Sequence, residues 1–237
     1  MPAHKNIAIV TGGSRGIGRG VVEALLGGGW KVHFCSKKPD SVREAREELA
    51  KSHGDAVDAK AVDVRSQDEV DSFVKAVLDG EGRIDVLVNN AGLGTFAAVD
   101  ELTGDQWREV IDTNLSGAFY FLHAVAPVMK RQGSGWIFNI SSLAGKNPFA
   151  TAAAYNASKF GLIGLSEAAM LDLRPHGVRV AAILPGSVDT EFSLHRAKDH
   201  SWMLQPADIA AMVLHLLTYP ANALPSLVEM RPAKPPK

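Results

Sequence analysis

The chain has 237 residues, with 25 Lys plus Arg against 26 Asp plus Glu, a formal net charge of −1 and 46% apolar residues. That balance excludes a nucleic-acid binder living on phosphate contacts and a polybasic membrane-surface protein. The apolar fraction excludes a disordered chain, and the single cysteine, Cys35, excludes an intrachain disulfide and a cysteine-based metal cluster.

From the N-terminus, a short apolar run over 7–10 predicts a first strand, and it is too short for the core of a signal peptide. A helix is expected over 16–28, a strand over 32–35 and a helix over 41–52, with Ser41 and Glu44 spaced as a capping box. Then come a strand over 59–62, a helix over 67–79 opened by Ser66 and Glu69, and a strand over 85–89. One long helix is expected over 103–130, opened by Thr103 and Gln106. A strand over 136–140, a helix over 155–174, a strand over 178–184, a helix over 206–218 and a strand over 227–230 complete the pattern. This alternation calls for a parallel sheet with helices on both faces, and the nearly continuous apolar strands suit burial on both sides. The expected architecture is one doubly wound α/β domain over 1–237, with a disordered tail over 232–237. No window approaches about 18 uninterrupted apolar residues, so no membrane span is expected, and the setting is cytoplasmic.

The first strand runs into Thr11-Gly12-Gly13-Ser14-Arg15-Gly16-Ile17-Gly18. A glycine-rich turn between strand and helix lets backbone N–H groups reach a pyrophosphate, aided by the helix dipole. The second strand ends at Ser36-Lys37-Lys38. An acid at that point contacts the ribose 2′-OH of NAD; here there is none. Arg15 and Lys37 together favour a 2′-phosphate, and hence NADP(H), by roughly ten- to a thousandfold.

Tyr155 and Lys159 lie four apart on one helix face. An ammonium at ~4 Å from a phenol, at an effective dielectric of ~20, favours the phenolate by ~3 pKa units. That would bring Tyr155 near neutrality as a general acid–base, while the bare pair also reads as a Tyr and a Lys sharing a solvated helix face. Ser142, on the loop after the central fifth strand, is placed to hydrogen-bond a substrate oxygen, with Ser141 as its competitor. Asn114, a polar residue inside a helical run, either holds a functional water or makes a buried structural hydrogen bond. The eight histidines show no metal-ligand spacing, and no metal is expected. His195 and His200, with Arg196 and Lys198, read as a solvated segment or as contacts to an anionic substrate.

In order along residues 11–190, Thr11-Gly-x3-Gly-x-Gly, Asp63-Val64, Asn89-Asn90-Ala91-Gly92, Asn114, Ser142, Tyr155-x3-Lys159, Pro185-Gly186 and Thr190 resemble the short-chain dehydrogenase/reductase family. The resemblance implies a Rossmann-type fold and hydride transfer from NADP(H) to a carbonyl. It places Gly12, Ser14, Arg15, Gly16, Ile17, Gly18, Ser36 and Lys37 around the cofactor, with Asp63 and Val64 at the adenine. Asn89, Ala91 and Gly92 support its ribose and tie the fourth strand to its neighbour. Pro185, Gly186, Val188 and Thr190 serve the nicotinamide, together with Tyr155 and Lys159. Catalysis falls to Asn114, Ser142, Tyr155 and Lys159, and Phe149, Phe192 and Trp202 line the substrate cleft under a short lid over 187–205.

The segment over 133–142 most resembles 3-oxoacyl-[acyl-carrier-protein] reductases, whereas the end of the chain departs from them. The candidate substrates are therefore a simple ketone or aldehyde and a carrier-bound 3-oxoacyl group. Lys130, Arg131 and Arg174 are the candidate docking patch for an acyl carrier protein. A non-catalytic NADP(H)-binding regulator is the alternative from a different class. Apolar residues beyond one stripe on 103–130 and 155–174 imply a homodimer or homotetramer.

Overall fold

The computed structural model describes residues 6–192 and 199–235. Its strands are β1 (Ile7–Thr11), β2 (Lys31–Ser36), β3 (Val57–Ala61), β4 (Val86–Asn89), β5 (Gly135–Ile140), β6 (Val178–Pro185) and β7 (Leu227–Met230). They form one sheet in the order β3-β2-β1-β4-β5-β6-β7, and every pairing is parallel. Strand side chains alternate between two cores. Ala8 and Val10 face α1 (Gly16–Gly27), α2 (Pro39–His53) and α7 (Pro206–Leu217). Ile7 and Ile9 face α3 (Gln67–Glu81), α5 (Gly117–Gln132) and α6 (Ala153–Leu173). The central strands are buried on both sides, as their apolar runs predict. The edge strands β3 and β7 differ and alternate between partly covered and exposed residues, because their outer faces meet solvent. Among the described residues, no helix is long and apolar enough to cross a membrane.

The helix starts show which capping signals operate. Thr103 and Gln106 form the full capping box of α4 (Gly104–Ile111). Ser66 caps α3 by accepting from the Glu69 N–H at 3.4 Å, but the Glu69 carboxylate turns away to the Asp63 N–H. Ser41 caps nothing: α2 begins two residues earlier, at Pro39, with Lys38 in the cap position. Proline at the first helical position loses no hydrogen bond and comes with φ already set.

The single helix expected over 103–130 is divided. After α4 comes a π turn, Asp112–Ser116, and only then α5. Asn114 explains the interruption. Its Oδ1 accepts from the Leu93 N–H at 2.8 Å, and its Nδ2 donates to the Leu93 carbonyl at 2.8 Å and to Ser158 Oγ at 3.0 Å. The wider turn aims this side chain inward, where it is 1% exposed.

The end of the chain also departs from expectation. Pro232, the first residue of the tail read from sequence as disordered, lies against the sheet end: a Cβ on Gly186 would come within 2.9 Å of Pro232 Cδ. Pro232 and Pro235 border the same cleft as the glycine-rich turn. Residues 236–237 lie outside the described residues.

Candidate active site

Strand order reverses between β1 and β4, and their carboxyl ends open a crevice where a parallel sheet places ligands. Thr11 closes the floor of that crevice. Its buried Oγ1 accepts from the Asn90 and Ala91 N–H groups, both at 2.9 Å. Asn90 Nδ2 reaches back to the carbonyls of Thr11 and Gly12. Two glycines make this closeness sterically allowed. Gly12 has φ +66°, and a Cβ on Gly18 would sit 2.2 Å from the Gly12 carbonyl oxygen. Helix α1 therefore starts hard against the loop, with no acidic residue in its first turn to oppose an anion.

The cleft has a volume of about 1890 Å³ and runs from this turn to Tyr155. That exceeds the ~300–1,000 Å³ of ordinary small-molecule sites and suits a dinucleotide with a second reactant beside it. Gly12, Ser14, Arg15, Gly16, Ile17, Ser36, Lys37, Asp63, Val64, Ala91, Gly92, Pro185, Gly186, Val188 and Thr190 all border it. Two residues expected at the cofactor do not. Gly18 serves the helix–loop contact instead. Asn89 is buried, and its Nδ2 donates to Asn139 Oδ1 at 2.9 Å and to the Ala118 carbonyl at 3.2 Å. It ties β4 to β5 and α5, and its neighbour Asn90, which the sequence reading passed over, takes the place on the cleft wall.

Ser36 and Ser14 hydroxyls are 3.0 Å apart at the end of β2. The two cations expected at a 2′-phosphate already have acidic partners. Lys37 Nζ lies 3.3 Å from Asp63 Oδ2, and Arg15 pairs with Glu191. Asp63 is also gripped by Arg65, whose hydrogen bonds hold its carboxyl well below the usual carboxylate range.

Ser142, Tyr155 and Lys159 meet at the inner end of the cleft. Ser142 lies close enough to the Tyr155 hydroxyl to favour its ionised form, and its Oγ accepts from the Ala144 N–H at 3.1 Å. The Ser141 hydroxyl points elsewhere and donates to the Lys159 carbonyl at 3.0 Å. Of the two serines, Ser142 is thus the one beside the phenol. Asn114 is absent from the cleft wall; through Ser158, whose Oγ donates to the Tyr155 carbonyl at 2.8 Å, it braces the helix that carries Tyr155.

The Lys159 ammonium has a backbone partner that the sequence did not foresee. Lys159 Nζ donates to the Ile140 carbonyl at 2.9 Å and lies 5.8 Å from the Tyr155 ring centre. Burial then dominates both groups. It pushes the Tyr155 phenol up, with the Ser142 side chain opposing, and brings the Lys159 ammonium from 10.5 down to about 8. Desolvation penalises each charged form more than this separation rewards it. The protein by itself holds a neutral phenol here.

A pH dependence of stability follows. Below pH 8 the folded protein carries a buried ammonium on Lys159. Between pH 8 and 10.5 the folded state has released that proton while the unfolded chain retains it, so Lys159 contributes stability that grows with pH across this window. The contribution is about 3 kcal/mol at most. Cys35 and Tyr155, both pushed up by burial, act in the opposite direction in the upper part of the window, so the difference between two proteins isolates Lys159. Urea unfolding at both ends of the window should show wild type gaining stability relative to Lys159→Met. Parallel changes in the two proteins would contradict it.

Three rings surround Tyr155. Phe96, Phe149 and Phe192 have ring centres 5.8, 6.4 and 5.6 Å from its own. Trp202 borders the cleft too. Phe96 was missed from sequence; the signal available was a large aromatic in the loop Leu93-Gly94-Thr95-Phe96 beyond a strand end. The two ends of the segment expected as a lid are joined by a Val188–Leu204 bridge and the Asp189 N–H to Leu204 carbonyl bond at 2.8 Å. His200 Nδ1 lies 2.9 Å from Asp189 Oδ1. His195, Arg196 and Lys198 lie outside the described residues.

The residues read from sequence as a carrier-docking patch lie at the opposite end of the sheet from the cleft of their own chain. Lys130 and Arg131 are in the last turn of α5, and Arg174 follows α6, where the chain enters β5 and β6. Along α6, Arg174 is about 28 Å from Tyr155.

The profile of the short chain dehydrogenase family matches residues 6–201. The chain belongs to that family. Its relatives include a 3-oxoacyl-[acyl-carrier-protein] reductase of Synechocystis, 36% identical, the match covering 92% of this chain and 91% of the relative. Among solved structures, a metagenomic short-chain oxidoreductase in complex with NADP superposes with a TM-score of 0.85 at 37% identity, covering 97% of this chain and 98% of the other. Actinorhodin polyketide ketoreductase with NADPH gives 0.89 at 31% identity, covering 96% of each. As a short-chain dehydrogenase, the protein is an oxidoreductase.

Proposed function

We propose that this short-chain dehydrogenase is an NADP(H)-dependent reductase of small carbonyl compounds. One observation carries the reading: Ser142 and the buried Tyr155 and Lys159 all border the inner end of a cleft continuous with the glycine-rich turn. NADPH, when bound, supplies a hydride to the carbonyl carbon. The glycine-rich turn and the start of α1 would hold its pyrophosphate, and Thr190 and the Val188 backbone its nicotinamide amide. Ser142 orients the carbonyl oxygen. Tyr155, neutral at pH 7, gives that oxygen its proton, which favours the reductive direction. Lys159 returns a proton toward the phenol and binds the nicotinamide ribose. Asn114 keeps the helix that bears Tyr155 in register.

The cofactor assignment is supported by the solved relatives with NADP and NADPH and by the missing acid at the end of β2. Because Lys37 and Arg15 must leave Asp63 and Glu191 to meet a 2′-phosphate, the preference belongs at the low end of the sequence-based range. NADPH should bind about tenfold more tightly than NADH. Lys37→Asp should reverse the order, and equal affinities in wild type would show that these cations do not meet the phosphate. A homo-oligomer fits this reading, since Phe119 on α5 and Phe160 on α6 remain nearly half exposed.

The direct test is a panel of ketones, aldehydes and acetoacetyl thioesters with NADPH and NADH side by side, followed by cofactor absorbance. Turnover of small carbonyl compounds is expected. Tight NADPH binding with no oxidation across the panel would favour the regulator instead.

A further inference from the structure

Resting on the carbonyl-reductase reading, we infer that the substrate carries a flat aromatic ring beside its carbonyl group. The observation is the state of the rings around Tyr155. Phe149 and Phe192 are 46% and 44% exposed, both border the cleft, and their ring centres lie 6.4 and 5.6 Å from that of Tyr155. Phe96 backs Phe149, with ring centres 6.0 Å apart and planes within 25° of parallel. An exposed aromatic surface gathered inside a cleft marks a ligand site.

Phe96 and Phe149 are held in place. The Phe149 carbonyl accepts from Asn156 Nδ2 at 2.9 Å, next to Tyr155 in the chain. The Ala97 N–H donates to the Thr151 carbonyl at 2.8 Å, and Ala97 bridges Ala152, which fastens the Phe96 loop to the Phe149 loop. Thr151 has φ +64°, a strained value for a β-branched residue that survives only where the surroundings fix it. Two loops are thus pinned so that aromatic faces line the cleft. The polar group Trp202 brings, its indole N–H, is already donating to the Asp199 carbonyl at 3.1 Å.

Any apolar substituent would gain from burial here, but only a planar π system gains stacking on Phe149 and Phe192 as well. The reaction balances as an ordinary reduction. The C=O π bond breaks, a C–H bond forms with the hydride and an O–H bond with the Tyr155 proton, while NADPH becomes NADP+. The product is an aryl carbinol.

The test is a matched pair, acetophenone and cyclohexyl methyl ketone, which differ in ring planarity and little in size. With NADPH, kcat/KM should favour acetophenone by about tenfold. The double variant Phe149→Leu, Phe192→Leu should bring the ratio to within about twofold; should it fail to fold, the two single variants carry the same comparison. A ratio near one in wild type or an unchanged ratio in the variants would overturn the inference and leave the carbonyl-reductase reading standing. Reduction of acetoacetyl thioesters alone, or no oxidation of NADPH or NADH by any carbonyl compound, would overturn both.

Discussion

Tyr155→Phe is expected to lower kcat at least a hundredfold while leaving the fold intact. The variant loses only a hydroxyl. Its ring stays among Phe96, Phe149 and Phe192, and Ser142 keeps the Ala144 N–H, so no cavity opens. What disappears is the proton donor, and a positioned general acid is worth about 10²–10⁴ in rate. Circular dichroism and NADPH affinity should stay close to wild type. Activity above about a tenth of wild type would mean that another group delivers the proton.

Gly18→Ala should damage cofactor binding and stability together. An added Cβ would lie 2.2 Å from the Gly12 carbonyl oxygen and 2.5 Å from Asn90 Nδ2. Backbone cannot yield as a flexible side chain can. Either α1 lifts off the turn or Asn90 leaves the carbonyls of Thr11 and Gly12. Overpacking of this kind costs about 1–3 kcal/mol, which in a protein of this size lowers Tm by about 2–10 °C. The displaced turn should raise the NADPH dissociation constant by at least about tenfold. Gly164→Ala is the matched control. It also lies in a helix, nothing comes within 4 Å of its added Cβ, and alanine is the better helix former, so stability should hold or rise. NADPH affinity of Gly18→Ala within about twofold of wild type would contradict the role given to that contact.

The parallel sheet was legible in the sequence because its signals are local. Each central strand is a short apolar run ended by glycine, asparagine, serine or proline, and the spacing between runs leaves room for one helix. The glycine-rich turn and the Tyr155–Lys159 spacing were legible for the same reason. The break at Asp112–Ser116 was not, because its cause is the distant Leu93 backbone, which holds the Asn114 side chain. Nor did residue type separate Asn89 from Asn90. Adjacent asparagines point to opposite sides of a strand end, and only the pairing of β4 with β5 decides which one is buried. The electrostatics of Lys159 failed for a related reason. Helical spacing brings the amine near the phenol, but the Ile140 carbonyl captures it, and burial reverses the sign of the expected shift on Tyr155. Lys37 and Arg15 had acidic partners, Asp63 and Glu191, that lie 26 and 176 residues away, beyond the reach of pattern reading.

The central claim is that a hydride reaches a carbonyl carbon in the cleft beside Tyr155. Its most direct measurement uses NADPH deuterated at the transferable hydrogen of the nicotinamide ring, with the ketone of the panel that turns over fastest. The expected result is an alcohol with deuterium on its carbinol carbon, one atom for each NADPH consumed, and no such product from Tyr155→Phe. Cofactor consumption without deuterium on that carbon would contradict it.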